Sequence, residues 1–284
     1  MIPQSFEYAA PADLKDALNQ IAAGAKPLAG GMSLIPMMKL RLAAPETLVD
    51  LGRIPSLNYI HEEGGKLHIG AMTTHFQIES SPLVRSRCPL LAEAAGNIGD
   101  VQVRNMGTIG GSTAHADPSA DYPASLMALE AQITLVSAKG SRVIGVEDFF
   151  VDTFTTALED GEIIQDIVVP VEDSSVGASY QKMVQPASGF AIVGVAARLR
   201  ISGGKASLAR IGVTGFGPKA FRAKKAESLL EGTAASPSDI EKAAAAVADG
   251  VESSSDLHAS AGYRGHMVKV YAARALTIAF SRVS

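Results

Sequence analysis

The stretch PLAGGMSLIP, residues 27–36, places two adjacent glycines and a serine between apolar residues, directly after a helical pattern. Why Gly30 and Gly31 stand side by side decides how the chain is read. A second stretch, NMGTIGGSTAHADPSADYPA (105–124), poses the same question. Adjacent glycines permit positive φ and let backbone N–H groups come close to a ligand. Successive N–H groups turned to one side form a nest that favours an anion, phosphate above all. Both AGGMS and TIGGS add a small hydroxyl residue, Ser33 or Ser112. Two such turns in one domain can hold a diphosphate between them, whereas either one alone is more often an ordinary tight turn.

Working outward, PADLKDALNQIAAG puts Leu14, Ala17, Leu18 and Ile21 on one helical stripe, with Gly24 at its end. KPLAGG reads as a short buried strand ending in a glycine turn, and TLVDL as a strand after Pro45. LNYIHEEGGKLHIGA alternates on both sides of a glycine turn, which predicts a hairpin. THFQIESSPLVRSRCPLLAEAAGNI is helical with breaks near Pro82 and Pro89, and YPASLMALEA is helical. QITLVSAKGSRVIGVEDFF predicts a second hairpin with a helical end, and EIIQDIVVP a strand.

From about residue 177 the character changes. GASYQKMV, FAIVGVAARLRI and KASLARIGVTGFG are three long strand-like runs, followed by three helical segments beginning at Lys219, Pro237 and Ser260. A meander followed by helices suggests an α+β unit of its own. In the last helix Met267, Val270, Tyr271, Ala275 and Ile278 recur at helical spacing and read as its core stripe.

Bulk properties narrow the function. The 284 residues are 47% hydrophobic and 19% charged, enough for a sizeable core and for two domains. The net charge of −4 comes with no basic stripe, so a nucleic-acid groove has little support, and RAKK reads as a solvated helix face. One cysteine, Cys88, excludes an internal disulfide framework and a Cys-ligated iron–sulfur site on this chain. The N-terminal MIPQSFEYAAPADLKD lacks the basic and apolar regions of a signal peptide, and no run approaches about 18 apolar residues. A cytoplasmic globular protein is expected.

Asp117 and Asp121 precede a helix. A carboxylate there can accept hydrogen bonds from ribose hydroxyls or an adenine amino group; equally, Asp before Tyr-Pro is a normal helix cap. GFGPKA (215–220) matches a dinucleotide fingerprint in letters only. A Rossmann unit needs a second strand with an acid about 20 residues on. Here GTAASPSDIEK leads into another helix, with Asp239 as a capping residue, so GFGPKA reads as a turn. There is no HExxH and no G-x-S-x-G elbow. The six histidines are scattered and read as surface or packing residues, and Cys88 as a packed thiol. No metal ligand set and no catalytic acid or base is assigned.

Four motifs in order, PLAGGMSLIPMMKLRLAAPETLVDLGRI, HIGAMTTH, VRNMGTIGGSTAHADPSADYPA and GEIIQDIVVP, resemble the FAD-binding medium subunit of molybdenum hydroxylases, the xanthine dehydrogenase and carbon monoxide dehydrogenase type. The resemblance runs from residue 1 to the last helix. It implies an α+β fold: a two-subdomain FAD-binding part of the vanillyl-alcohol oxidase type over 1–176 (subdomains about 1–53 and 54–176), then a three-stranded sheet with three helices over 177–284. It also implies an extended FAD with its diphosphate on the two glycine turns.

Carried over residue by residue, the resemblance has Leu28, Ala29, Gly30, Gly31, Met32, Ser33 and Leu34 lining the diphosphate and ribityl chain. Thr108, Gly110, Gly111 and Ser112 form the opposing turn, and Ile98 and Gly99 pass close to the flavin or ribityl chain. Asp121 holds the adenosine end, Ile164 packs near the adenine, Lys182 lies near the flavin, and Phe190 covers one flavin face. Relatives often carry His at position 32 and Asn at 112; this chain has Met32 and Ser112, a change that a backbone-mediated site tolerates.

The resemblance further implies an electron-transfer subunit of a heterotrimer, doubled by symmetry. A large subunit would hold the molybdenum cofactor and a small one two [2Fe–2S] clusters. The external acceptor would be a quinone, dioxygen or NAD, and the substrate carbon monoxide, an aldehyde or an N-heterocycle. Two rivals stand beside this reading. One is a stand-alone flavin oxidase, for which His115 is the nearest residue for covalent attachment; the other is a scaffold subunit without flavin.

Overall fold

The computed structural model of the chain describes residues 2–283; the terminal Met1 and Ser284 of the two expected parts lie outside them. Strand β1 (Glu7–Ala9) leads into helix α1 (Leu14–Ala22), β2 (Lys26–Leu28), helix α2 (Leu34–Lys39) and β3 (Thr47–Asp50). The three strands form a parallel sheet in the order β1-β3-β2. Parallel neighbours need crossover connections, supplied by α1 and by the α2 segment. The Asp13 carboxylate caps α1 by accepting from the N–H groups of Lys15 and Asp16, and Ala17, Leu18 and Ile21 are buried as the stripe requires. Gly24, at φ +100°, turns the chain after it.

A second sheet follows. The hairpin β4 (Ile60–Glu63) and β5 (Lys66–Gly70) precedes six helices: α3 (His75–Ser80), α4 (Pro82–Arg87), α5 (Pro89–Gly96), α6 (Val101–Met106), α7 (Ile109–His115) and α8 (Asp121–Ala128). Pro82 and Pro89 open α4 and α5, where a missing N–H costs nothing. Then come β6 (Gln132–Ser137), β7 (Gly140–Gly145), the short helix α9 (Val146–Phe149), β8 (Phe150–Asp152), β9 (Thr155–Thr156) and β10 (Ile163–Pro170). The sheet is antiparallel in the order β4-β5-β10-β6-β7. Central β10 is buried at six of eight positions, so its sequence runs apolar instead of alternating.

The remainder is the expected meander, β11 (Val176–Val184), β12 (Ala191–Ser202) and β13 (Lys205–Thr214). A two-residue strand, β14 (Phe221–Arg222), adds a fourth strand at the edge that the sequence does not signal. Helices α10 (Lys224–Leu230), α11 (Pro237–Ala245) and α12 (Ala261–Ser281) complete the fold. Asp239 does cap α11, in a reciprocal box with Ser236, and GFGPKA is a loop with Gly215 at φ +74°.

The core stripe of α12 differs from the expected one. The buried positions are Arg264, Val268, Ala272, Ala275, Leu276 and Ala279; Met267, Val270, Tyr271 and Ile278 are half-buried at its margins. Small alanines let this helix lie close on the sheet: a Cβ on Gly177 would meet the Ala279 carbonyl oxygen at 2.0 Å. On the opposite face α8 comes equally close, since a Cβ on Gly212 would lie 1.9 Å from the Ala124 carbonyl oxygen. Residues 191–199 of β12 are consequently all buried. Tyr180, Ala178 and Ala196 join the core of the preceding part, while Val193, Val195 and Ala197 join the core under α12.

Candidate functional site

β2 ends with buried Leu28, and the chain leaves the parallel sheet through residues 29–33 into α2. Gly31 has φ +73°, where a Cβ would also meet Ile35 Cδ1 at 2.7 Å. Gly30 has ordinary φ, and its missing side chain answers a different need: a Cβ there would lie 1.9 Å from the Met106 carbonyl oxygen. The backbone N–H groups of Ala29, Gly30, Gly31, Met32 and Ser33 donate to no acceptor among the described residues. Ser33 stands at the N-cap of α2 without capping it, so its hydroxyl is also free of that duty. Ala29, Gly30, Gly31 and Ser33 are half-buried and Met32 is exposed, so these donors face an open side of the fold. A run of five unpaired donors at the end of a parallel strand is a site for an anion that accepts many hydrogen bonds.

The second glycine stretch is built differently from the expected turn. Gly110 and Gly111 lie in the first turn of α7, with Thr108 as its N-cap accepting from the Gly111 N–H at 3.1 Å. The N–H groups of Ile109, Gly110 and Ser112 already donate to Thr73, Ala71 and Thr108 carbonyls. These glycines serve close packing: a Cβ on Gly110 would meet Ala71 Cβ at 2.4 Å, and one on Gly111 would meet Ala29 Cβ at 3.3 Å. The two glycine stretches therefore touch, and only the first offers a row of free amides. Met32 is exposed, and Leu34 and Ser112 are half-buried.

Asp121 is not the helix cap. It is the first residue of α8, behind an Ala120 that caps nothing. Its carboxylate is 4% exposed and accepts from Tyr180 Oη at 2.6 Å and from Lys182 Nζ at 3.0 Å. Burial pushes its pKa up to about 6, with Lys182 and Tyr180 pulling the other way. Lys182 also donates to the carbonyls of Asn97, at 2.6 Å, and Gly189, at 2.7 Å. Asp121 and Lys182 thus form one salt bridge and stand at the same place in the fold.

Ile98 and Gly99, after α5, are half-buried, and their carbonyls accept from Arg104 Nη1 at 3.1 and 3.3 Å. Gly99 touches Gly189: a Cβ on Gly189 would lie 3.1 Å from Gly99 Cα. Phe190 follows directly, 43% exposed, on the wall of a cleft of about 270 Å³ that also holds Asp117, Gln185, His258 and Arg264. Ile164, by contrast, is 4% exposed inside the main core on β10, a packing residue first. Tyr180, Asn97, Arg104, Met106 and Gly189 are site residues the sequence reading missed. Tyr180 had a signal, since it lies two residues before Lys182 and so on the same strand face.

The remaining reactive groups are packing groups. Cys88 is fully buried, and burial pushes its thiol up to about 12. His75 is buried against Gly107 and 5.2 Å from the Tyr122 ring, and burial first, then the Arg104 charge, lowers its pKa to about 4. His115 is half-buried beside Phe154, with burial lowering its pKa. Among the described residues no three His, Cys, Asp or Glu side chains could hold a metal ion. Nor is any helix long and apolar enough to cross a membrane.

Free amides on a glycine turn at the end of a parallel strand, in an α+β fold, are the arrangement of a protein that binds a phosphate-bearing cofactor. Residues 4–172 match the model of the FAD binding domain in molybdopterin dehydrogenase, and residues 178–279 that of the CO dehydrogenase flavoprotein C-terminal domain. The chain is 43% identical to the carbon monoxide dehydrogenase medium chain of Hydrogenophaga pseudoflava over 99% of both chains. It is 38% identical to the glyceraldehyde dehydrogenase medium chain of Sulfolobus acidocaldarius, covering 97% of this chain and 98% of that one. The solved carbon monoxide dehydrogenase of H. pseudoflava contains a chain that superposes with a TM-score of 0.97 at 43% identity, covering 100% of each. The protein therefore belongs to the family of FAD-binding medium chains of the molybdopterin dehydrogenases, and is an oxidoreductase subunit.

Proposed function

We propose that the chain is the electron-transfer subunit of a heterotrimeric molybdenum hydroxylase, receiving electrons from two [2Fe–2S] clusters on a small partner and passing them to an external acceptor. The observation that carries this reading is the row of unpaired N–H groups from Ala29 to Ser33. They fit the FAD diphosphate, with the Ser33 hydroxyl and the hydroxyl proton of Thr108 close by in the same pair of stretches. When bound, FAD supplies the redox chemistry, and the protein's work is to hold and tune it.

Residues 28–34 would seat the diphosphate. Thr108, Gly110, Gly111 and Ser112 would form the packed floor beneath it, and Ile98, Gly99 and Phe190 the flavin end. No residue is asked to act as general acid or base. The division into 1–176 and 177–284 is the domain arrangement we adopt; the start of a separate antiparallel meander at β11, after the parallel and the five-stranded antiparallel sheets, supports it.

A large partner would carry the molybdenum cofactor and the substrate. Medium chains 43%, 38% and 35% identical to this one are named for carbon monoxide, glyceraldehyde and nicotine enzymes. A scaffold that persists across such unlike substrates supports placing substrate choice elsewhere. The complex is taken as a cytoplasmic dimer of heterotrimers with a quinone, dioxygen or NAD as acceptor.

Purification of the tagged chain from its own host tests this. Bound FAD, molybdenum, iron and two further polypeptides, one large and one small, are expected. A lone yellow chain that turns over a substrate by itself would overturn the subunit reading.

A further inference from the structure

We infer that Lys182 is a positioning residue that ties the Ile98–Gly99 turn to the loop carrying Phe190, and that Asp121 serves to hold Lys182 in place. The inference rests on the FAD reading above. An ammonium has three N–H donors, and Lys182 directs them to Asn97 O at 2.6 Å, Gly189 O at 2.7 Å and the Asp121 carboxylate at 3.0 Å. Its side chain is 5% exposed and that of Asp121 4%. No donor is left over for a ligand, so Lys182 acts through the backbone it grips.

The three segments gripped are the turn after α5, the loop between β11 and β12, and the start of α8. The turn is held from its other side as well, by Arg104 on the Ile98 and Gly99 carbonyls, with Arg104 paired to Glu79 at 2.9 Å. Gly189, at φ +76°, brings the loop into backbone contact with Gly99. Tyr180 Oη on Asp121, at 2.6 Å, fixes the carboxylate that orients the ammonium. Ile98 and Phe190 adjoin the two gripped carbonyls, so the placing of these two segments relative to each other is set by one buried nitrogen.

Two alternatives make opposite predictions. If Lys182 positions, Asp121→Asn is mild, because an asparagine oxygen still accepts the third N–H; Lys182→Met removes all three bonds and strands a buried carboxylate. If Asp121 instead binds the adenosine end, Asp121→Asn is the more damaging. The test uses the full chain loaded with FAD, reading the FAD Kd by flavin fluorescence and the flavin's visible circular dichroism. Lys182→Met is expected to raise Kd about tenfold, roughly 1.4 kcal/mol. It should change the dichroism as Phe190→Ala does, with the double variant adding nothing to either single one. Asp121→Asn is expected to raise Kd less than about twofold.

The inference is overturned if Asp121→Asn weakens FAD more than Lys182→Met, or if the Lys182 and Phe190 effects add. Should Lys182→Met not fold, Lys182→Gln is measured with the same expected order. An unmutated chain that takes up no FAD would sink the function proposed above together with this inference. FAD uptake with an unchanged spectrum in Lys182→Met would sink this inference alone.

Discussion

The Cβ that Gly30 lacks would sit 1.9 Å from the carbonyl oxygen of Met106, so the turn carrying the free amides is pressed directly onto the end of α6. Neither partner has room to yield, because the contact is backbone on backbone. Gly30→Ala is expected to destabilise the apoprotein by about 1–3 kcal/mol, the usual range for an overpacked site. It should also cost FAD affinity, since the turn must lift away. Urea unfolding of the apoprotein and a FAD titration check both effects.

The second close contact, Gly212 over the Ala124 carbonyl, lies between α8 and β13, away from the free amides. Gly212→Ala should cost a similar 1–3 kcal/mol with little loss of FAD affinity per molecule folded. Comparison of the two glycine variants separates packing from cofactor seating.

His75 predicts a pH dependence. Its pKa in the folded protein is about 4, against an ordinary 6.5, and its Nδ1 has no partner. The unfolded chain therefore binds more protons between these values, and stability falls as pH drops from 6.5 towards 4. The contribution approaches about 3 kcal/mol at 1.36 kcal/mol per unit. Denaturant midpoints should decline over that window, and His75→Leu should flatten the decline.

Glu172 and Arg198 form a buried ion pair, with 2.6 Å between Oε1 and Nε and side chains 5% and 7% exposed. It joins the chain just after β10 to the middle of β12. Glu172→Ala leaves a buried guanidinium with only a distant acid, Glu130 at 3.7 Å, and should destabilise by about 3–5 kcal/mol. The double variant Glu172→Gln, Arg198→Met should recover much of that loss, as thermal unfolding would show.

Cys88 should resist iodoacetamide in the native protein, because its thiol is fully buried and its pKa is pushed up to about 12. Modification should appear only after unfolding, as a single added carbamidomethyl group by mass spectrometry.

Much of this was readable from the chain because local rules and global fold agree. The Asp13 cap, the Pro82 and Pro89 helix starts and the Gly64–Gly65 hairpin each act within a few residues, so their spacing announces them. What the chain does not announce is long-range. In TIGGS the glycines also let α7 approach Ala71 and Ala29, contacts spread across the sequence. The α12 stripe was displaced because its innermost positions are alanines and an arginine, which a hydrophobicity pattern ranks below Met267 and Ile278. The Asp121–Lys182 pair spans 61 residues and no local pattern encodes it.

β12 has buried residues on both faces, one side feeding the core around Tyr180 and the other the core under α12. It behaves as a party wall. Cutting the chain near residue 177 would strip the α8 side of its cover and leave the meander with a bare apolar face, so neither fragment should be soluble when expressed alone. Evolution can change loops on either side of such a wall, but exchanging one half for a foreign counterpart requires rewriting both faces of a single strand at once.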